Sequence, residues 1–128
     1  MRRLALAAFL WAVAGGSAAA RAPGHLATWV WDQATVVSAD GRRDLLAFAR
    51  RKGVDLLFVH ATPTFETPPG FAALAALVDG ASRAGAAVVL VAGDPAWAQP
   101  AHQADAVAAV QRAARLDARL ASRGLPRA

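Results

Sequence analysis

Two nearly continuous apolar runs, each of which directly follows a glycine, constrain the fold of this chain most strongly. Val54–His60 reads VDLLFVH, and residues 86–93 read AAVVLVAG. Runs without polar alternation are typical of parallel strands that are covered on both faces. The preceding glycines, Gly53 and Gly85, lie 32 residues apart, so the two runs belong to a weak internal repeat.

Amphipathic segments with clear stop signals separate and follow these runs. The first, SADGRRDLLAFARRKG, can be capped by Ser38 or Asp40 and stopped by Gly53. A second helix stops at the next glycine of the repeat, and a third begins near Pro100 and stops at Gly124. Residues at helical spacing define the predicted buried faces. These are Leu45, Phe48 and Ala49 in the first helix, Phe71, Leu74, Val78 and Ala81 in the second, and Val107, Val110, Leu116 and Leu120 in the third.

A short strand, ATWVW at Ala27–Trp31, precedes the first helix, so three strands alternate with three helices. This α/β order is typical of a parallel sheet with right-handed crossovers. Two architectures fit: an open doubly wound sheet, and the opening of a (β/α)₈ TIM barrel, which needs about 250 residues. The chain has 128 residues, and Leu125–Ala128 stand where a fourth strand is expected. We therefore expect residues 21–128 to form a partial barrel domain of three β/α units.

The N-terminus has the pattern of a secretory signal peptide. Arg2 and Arg3 precede the eleven-residue apolar run LALAAFLWAVA, and the small residues GGSAAA follow it. The run is shorter than the roughly 20 residues that span a bilayer. We expect residues 1–20 to be removed after Ala20, which gives a periplasmic or secreted protein without a stable membrane anchor. A short buried helix is the alternative interpretation.

Composition excludes several kinds of site. The chain has no cysteine, which rules out disulfides, thiolate metal ligands and a lipoprotein anchor. The three histidines lack metal-ligand spacing, and no cofactor motif is present. Loss of Arg2 and Arg3 leaves 12 basic and 9 acidic residues. The arginines fall at helical spacings that suit solvated helix faces, and they are not interleaved with aromatic residues, so no nucleic-acid partner is predicted. These arginines are Arg42, Arg43, Arg50, Arg51, Arg112, Arg115, Arg119 and Arg123.

Candidate ligand-binding residues follow the three strands, because function collects at the carboxyl ends of parallel strands. Period-two alternation groups Trp31 with Trp29, His60 with Phe58 and Leu56, and Asp94 with Leu90 and Val88. If these faces point inward, Trp31, His60 and Asp94 meet at one rim. The candidates are Trp31, Asp32, His60, Asp94 and Trp97.

Each candidate also has a structural alternative. Asp94 before Pro95 is common turn chemistry, and Asp32 can cap a helix. Trp31 can fill core, His60 can be a satisfied residue at a strand end, and Trp97 can pack over the rim. Asp94 can pair with Asp32 or with Glu66, the one glutamate, as an acid couple, but the sequence does not set their separation.

Three segments, WVW, FARRKGVDLLFVH and GAAVVLVAGDPAWA, resemble secreted bacterial TIM-barrel proteins related to glycoside hydrolases. The resemblance covers Ala27 to Pro126, and GDPAWA at Gly93–Ala98 is its most specific part. In that family the third helix leads into a fourth strand of the type F-D-G-(I/V)-H-L-D-(I/V)-E-P, whose acids are the catalytic or sugar-contacting groups. No residue of this chain matches that strand, so no catalytic residue is assigned.

The resemblance implies an exported carbohydrate-active protein that is inactive as given, with a carbohydrate or another small polar molecule as ligand. Trp31 and Trp97 are expected to stack on sugar rings, and Asp94 to contact a sugar hydroxyl. Two alternatives stay open: a non-enzymatic exported module that binds a ligand or works within an assembly, and a fragment of an open-sheet hydrolase. A partial barrel is also expected to leave strand edges unpaired and Trp29, Leu56, Phe58 and Leu90 uncovered, a surface that favours aggregation.

Overall fold

A computed structural model describes residues 24–126. Its sheet has three parallel strands in the order β1-β2-β3: Ala27–Val30, Leu56–His60 and Ala87–Val91. The register aligns Trp29 with Phe58 and Phe58 with Val89. The predicted α/β class with a parallel sheet is confirmed. The predicted signal peptide, residues 1–20, lies outside the described residues.

Four α-helices accompany the sheet: α1 Gln33–Val37, α2 Ala39–Lys52, α3 Pro68–Arg83 and α4 Gln103–Ser122. Short 3₁₀ helices cover Pro63–Glu66, Pro95–Ala98 and Pro100–His102. The short helix α1 was not predicted. It forms because two side-chain caps stand six residues apart: Asp32 accepts the N–H of Ala34, and Ser38 accepts the N–H of Gly41 to start α2.

The glycine stops behave as the sequence predicts. Gly53, Gly85 and Gly124 have φ values of 68°, 79° and 71°. This left-handed conformation is costly for residues with a Cβ and ends helices at the C′ position. After Gly53 and Gly85 the chain continues directly into the next strand, which explains the weak 32-residue repeat.

The core lies on one face of the sheet. Val30, Leu57, Val59 and Val88 point toward the helices and join one apolar cluster with side chains from all four of them. The predicted buried face of α3 is confirmed, since all four of its residues are at most 2% exposed. In α4, Leu116 and Leu120 are buried as predicted.

Four predictions about burial are wrong. Val107 and Val110 are 56% and 63% exposed, and Phe48 is 38% exposed, because each lies away from the helix side that meets the core. Leu90 pairs in register with buried Val59 and packs on the core, so it belongs to the covered face. Its place on the open face is taken by Val89.

The opposite face of the sheet is not covered by any described residue. Trp29 is 55% exposed, and Leu56, Phe58 and Val89 remain partly exposed. The expectation that β2 and β3 are covered on both faces is therefore wrong for residues 24–126. A sequential strand order with crossovers of one hand places every helix on the same side. The three described strands follow one another in sequential order, without the reversal of strand order that defines a doubly wound sheet.

Gly70, in the first turn of α3, provides a test of the packing between α3 and the 3₁₀ helix Pro63–Glu66. A Cβ at this position would overlap the carbonyl oxygen of Thr64, which belongs to the backbone and cannot rotate away. We expect Gly70→Ala to lower the free energy of unfolding by about 3 kcal/mol, measured by urea denaturation. Gly93→Ala is the matched control, because a Cβ there meets nothing within 4 Å. Equal stability of the two variants would contradict this packing.

Candidate functional site

Four rings form a continuous row on the open face of the sheet, which we call the aromatic row: Trp29, Trp31, Phe58 and His60. The Trp29 and Trp31 rings are 5.5 Å apart between centroids and inclined by 4°. Trp29 also stacks on Phe58 at 4.7 Å and 30°, and Trp31 lies 5.1 Å from His60 with a tilt of 55°. The row therefore runs across β1 and β2 toward their carboxyl ends.

Strand geometry accounts for the row. Side chains two residues apart on a strand project from the same face, which places Trp29 beside Trp31 and Phe58 beside His60. Parallel pairing then aligns Trp29 with Phe58. The predicted meeting of Trp31 and His60 is confirmed. Trp29 and Trp31 remain 55% and 54% exposed, which is unusual for side chains this large and makes this face a candidate for ligand contact.

The side chains of the two candidate aspartates accept hydrogen bonds from backbone N–H groups. The N–H of Ala34 donates to Asp32 at 2.9 Å, and the N–H of Ala96 donates to Asp94 at 2.8 Å. Asp32 therefore starts α1, and Asp94 starts the 3₁₀ helix that begins at Pro95. Both residues are exposed, so each carboxylate keeps lone pairs facing water. The turn alternative for Asp94 is thus observed, while its role toward a ligand stays a prediction.

Alternation along β3 does not extend to Asp94. The strand ends at Val91, three residues earlier, so sharing a face with Val88 and Leu90 does not follow, and those two residues face the helices. The contacts within residues 24–126 include none between Asp94 and either Trp31 or His60, so the expected meeting of the three side chains is not observed. Trp97, in the 3₁₀ helix after Asp94, is partly exposed and lies outside the aromatic row.

A partly exposed ion cluster around Glu66 is not predicted from the sequence. Glu66 accepts from Arg112 Nε at 3.1 Å and from Arg115 Nη2 at 2.7 Å. The hydrogen bond from Arg115 is the main cause that lowers the pKa of Glu66, assisted by Arg112 and opposed by partial desolvation. Glu66 therefore holds α4 against the segment after β2 and is not positioned as the acid partner of an aspartate. In the sequence, the available signal for this ion cluster is a single glutamate together with arginines at helical spacing.

Two further arginines, one in α4 and one at its C-cap, contact α3. The guanidinium carbons of Arg119 and Arg123 lie 3.9 and 4.7 Å from the ring centroid of Phe71, within cation–π range. Arg42 donates to the carbonyls of Val36 and Val37 at the end of α1. Arg42 and Arg112 are only partly exposed, so the prediction of solvated faces is wrong for these two residues. Arg115, Arg119 and Arg123 are exposed as predicted, although each also contacts a neighbouring group. Arg43, Arg50 and Arg51 are exposed as predicted.

Within residues 24–126, no group of three histidine, aspartate or glutamate side chains is placed to hold a metal ion. The helices of the same range are too short or too polar to cross a bilayer. Comparison with family models, curated proteins and solved structures gives no match to this chain. The relation to glycoside hydrolases therefore stays a prediction.

Glu66 gives a pH-dependent test of the ion cluster. Its folded pKa is lower than its ordinary value of 4.5, so its contribution is complete above that pH and is lost as the pH falls through the folded pKa. We expect Glu66→Gln to reduce the free energy of unfolding by about 1 kcal/mol at pH 7. The difference from the wild type should shrink between pH 4.5 and pH 2 in urea titrations.

Asp40→Asn is the control for this experiment, because Asp40 pairs only with exposed Arg43 and both side chains are at least 67% exposed. We expect it to change stability by less than about 0.5 kcal/mol. A Glu66→Gln protein with the wild-type stability profile from pH 2 to pH 7 would contradict the assigned role.

Proposed function

We propose that this protein is exported and binds carbohydrate on the aromatic row, in a domain built from the opening β/α units of a glycoside-hydrolase-like barrel. The observation that carries the proposal is the parallel pair of Trp29 and Trp31, each more than half exposed on the open face of the sheet. Flat indole faces match the apolar faces of sugar rings, and the indole N–H groups can donate hydrogen bonds.

The position of the row supports a ligand site. It lies at the carboxyl ends of β1 and β2, where parallel α/β folds place their ligands. His60 adds an imidazole that can exchange hydrogen bonds with sugar hydroxyls. The carboxylates of Asp32 and Asp94 stand at the turns after β1 and β3 and keep exposed lone pairs for the same purpose.

The proposal is for binding and not for hydrolysis by these residues. Glycoside hydrolysis needs two carboxyl groups facing one bond, one of them protonated at working pH. Glu66 is held ionised by two arginines, with a lowered pKa, so it is unsuited to be the acid. Asp32 and Asp94 each accept a backbone N–H at a turn, and no described contact brings the two carboxyl groups together.

The barrel part of the proposal is supported by the sequential strand order and by the one-sided helix layer. In a (β/α)₈ barrel every helix lies outside and the inner strand faces meet one another. The open face of this sheet corresponds to such an inner face. Large apolar side chains are unusual on a solvent-exposed sheet face. The open face carries four of them: Trp29, Leu56, Phe58 and Val89.

Tryptophan fluorescence of the full chain provides the test. We expect saturable changes with at least one oligosaccharide from a panel of glucan, xylan and chitin oligomers. Trp31→Ala should weaken binding about tenfold, because loss of one stacking partner removes about 1.4 kcal/mol. Trp97→Ala, outside the aromatic row, should have a smaller effect. No response to any oligomer, or equal loss in both variants, would contradict the proposal.

A further inference from the structure

The large exposed apolar side chains are not spread evenly around the helical layer. Apart from the open face, they lie at its two ends. Leu26, Val37 and Phe48 belong to the segment before β1 and to α1 and α2. Val107 and Val110 belong to α4. None of those in the described range belongs to α3, the helix between them. The helix α3, which has α2 on one side and α4 on the other, is therefore covered, whereas α2 and α4 each keep exposed apolar side chains.

The sheet ends in the same two places. Within residues 24–126, β1 pairs only with β2, and β3 pairs only with β2. One edge of β1 and one edge of β3 thus keep unpaired N–H and carbonyl groups. Both strands run in the same direction, so the β3 edge of one molecule can receive the β1 edge of another in parallel pairing, as β2 receives β1 here.

The outward side of α2 can be identified from its contact with α3. The Leu46 side chain lies against Gly80 of α3, close enough that a Cβ on that glycine would meet it at 2.7 Å. Phe48 is two residues further on, about 200° around the helix. It therefore lies on the flank of α2 that points away from α3.

The same reasoning applies to α4. Arg119 contacts Phe71 and so marks the side of α4 that faces α3. Val110 precedes Arg119 by nine residues, about two and a half helical turns, which places it on the opposite side. Val107 lies one turn from Val110, and the two line a shallow apolar cleft with Ala106 and Gln111. The α4 flank thus offers a recess, and the α2 flank offers an aromatic side chain.

We infer that this protein self-associates head to tail, with the β3 edge and α4 flank of one copy against the β1 edge and α2 flank of the next. The contact repeats the packing already present inside the molecule, where β1–β2 pairing is accompanied by contact between α2 and α3, the helices that follow these two strands. The occupant is a second copy because it supplies both a parallel strand edge and an apolar helix flank in the right order. The interface is heterologous, so its two halves are different surfaces. This inference does not rest on carbohydrate binding.

A heterologous interface has a signature that a symmetric one lacks. Phe48→Asp damages the α2 half and leaves the α4 half intact, and Val110→Asp does the reverse. We expect the wild-type chain to associate with rising concentration in sedimentation velocity, and each variant to associate at least about tenfold more weakly. Mixed in equal amounts, the two variants should form a one-to-one dimer and nothing larger. The double variant should associate with neither single variant.

Both substituted side chains are 38% or more exposed, so the variants should keep the wild-type far-ultraviolet circular dichroism. A monomeric wild type at all concentrations would overturn the inference and indicate that a further segment covers these flanks. Association lost in Trp29→Asp but kept in both flank variants would overturn it in favour of face-to-face pairing of the open sheets. Mixed variants that remain monomers would also overturn it.

Discussion

One-sided burial of the sheet is the constraint on which the rest of the molecule depends. Valine and leucine side chains from all three strands pack against four helices on one face, and this single cluster supplies the core. The other face keeps Trp29, Phe58 and Val89 partly exposed. Full burial of such a side chain stabilises a fold by about 1.5–3 kcal/mol. Their exposure on the open face leaves part of this stabilisation out of the folded state. The exposed aromatic row and the unpaired strand edges both follow from this layout.

Local signals in the sequence foretold the framework of the fold. The strands around Trp29, Phe58 and Val89, the Ser38 cap of α2 and the glycine stops all depend on neighbouring residues, and the structure agrees with them. The meeting of Trp31 with His60 was also predictable, because period-two alternation and parallel pairing place them together. These local signals do not indicate which elements pack beside a given strand or helix. For that reason, apolar runs typical of two-sided burial were assigned to strands that have only one covered face.

The errors in α4 have one cause. Helical periodicity shows that a segment is amphipathic, but the width of its buried stripe depends on what packs beside it. Val110 continues the apolar pattern of Leu116, yet it is 63% exposed because no described element covers that flank. Arg119, by contrast, is exposed as predicted and also lies over Phe71 of α3. The flank of α4 toward α3 is occupied and the opposite flank is not, so the apolar side chains on the opposite flank remain exposed.

The acids show how local chemistry decides between structural and ligand roles. Asp94 follows β3 by three residues, so the turn and not the strand determines its direction, and the N–H of Ala96 satisfies one of its oxygens. Glu66 is satisfied by two guanidinium groups. The indole faces of Trp29 and Trp31 have no comparable partner beyond one another and the neighbouring rings of the row. In the proposed carbohydrate site, binding would therefore depend mainly on stacking, with carboxylates in a supporting role, and this favours ligands that present broad apolar faces bordered by hydroxyl groups.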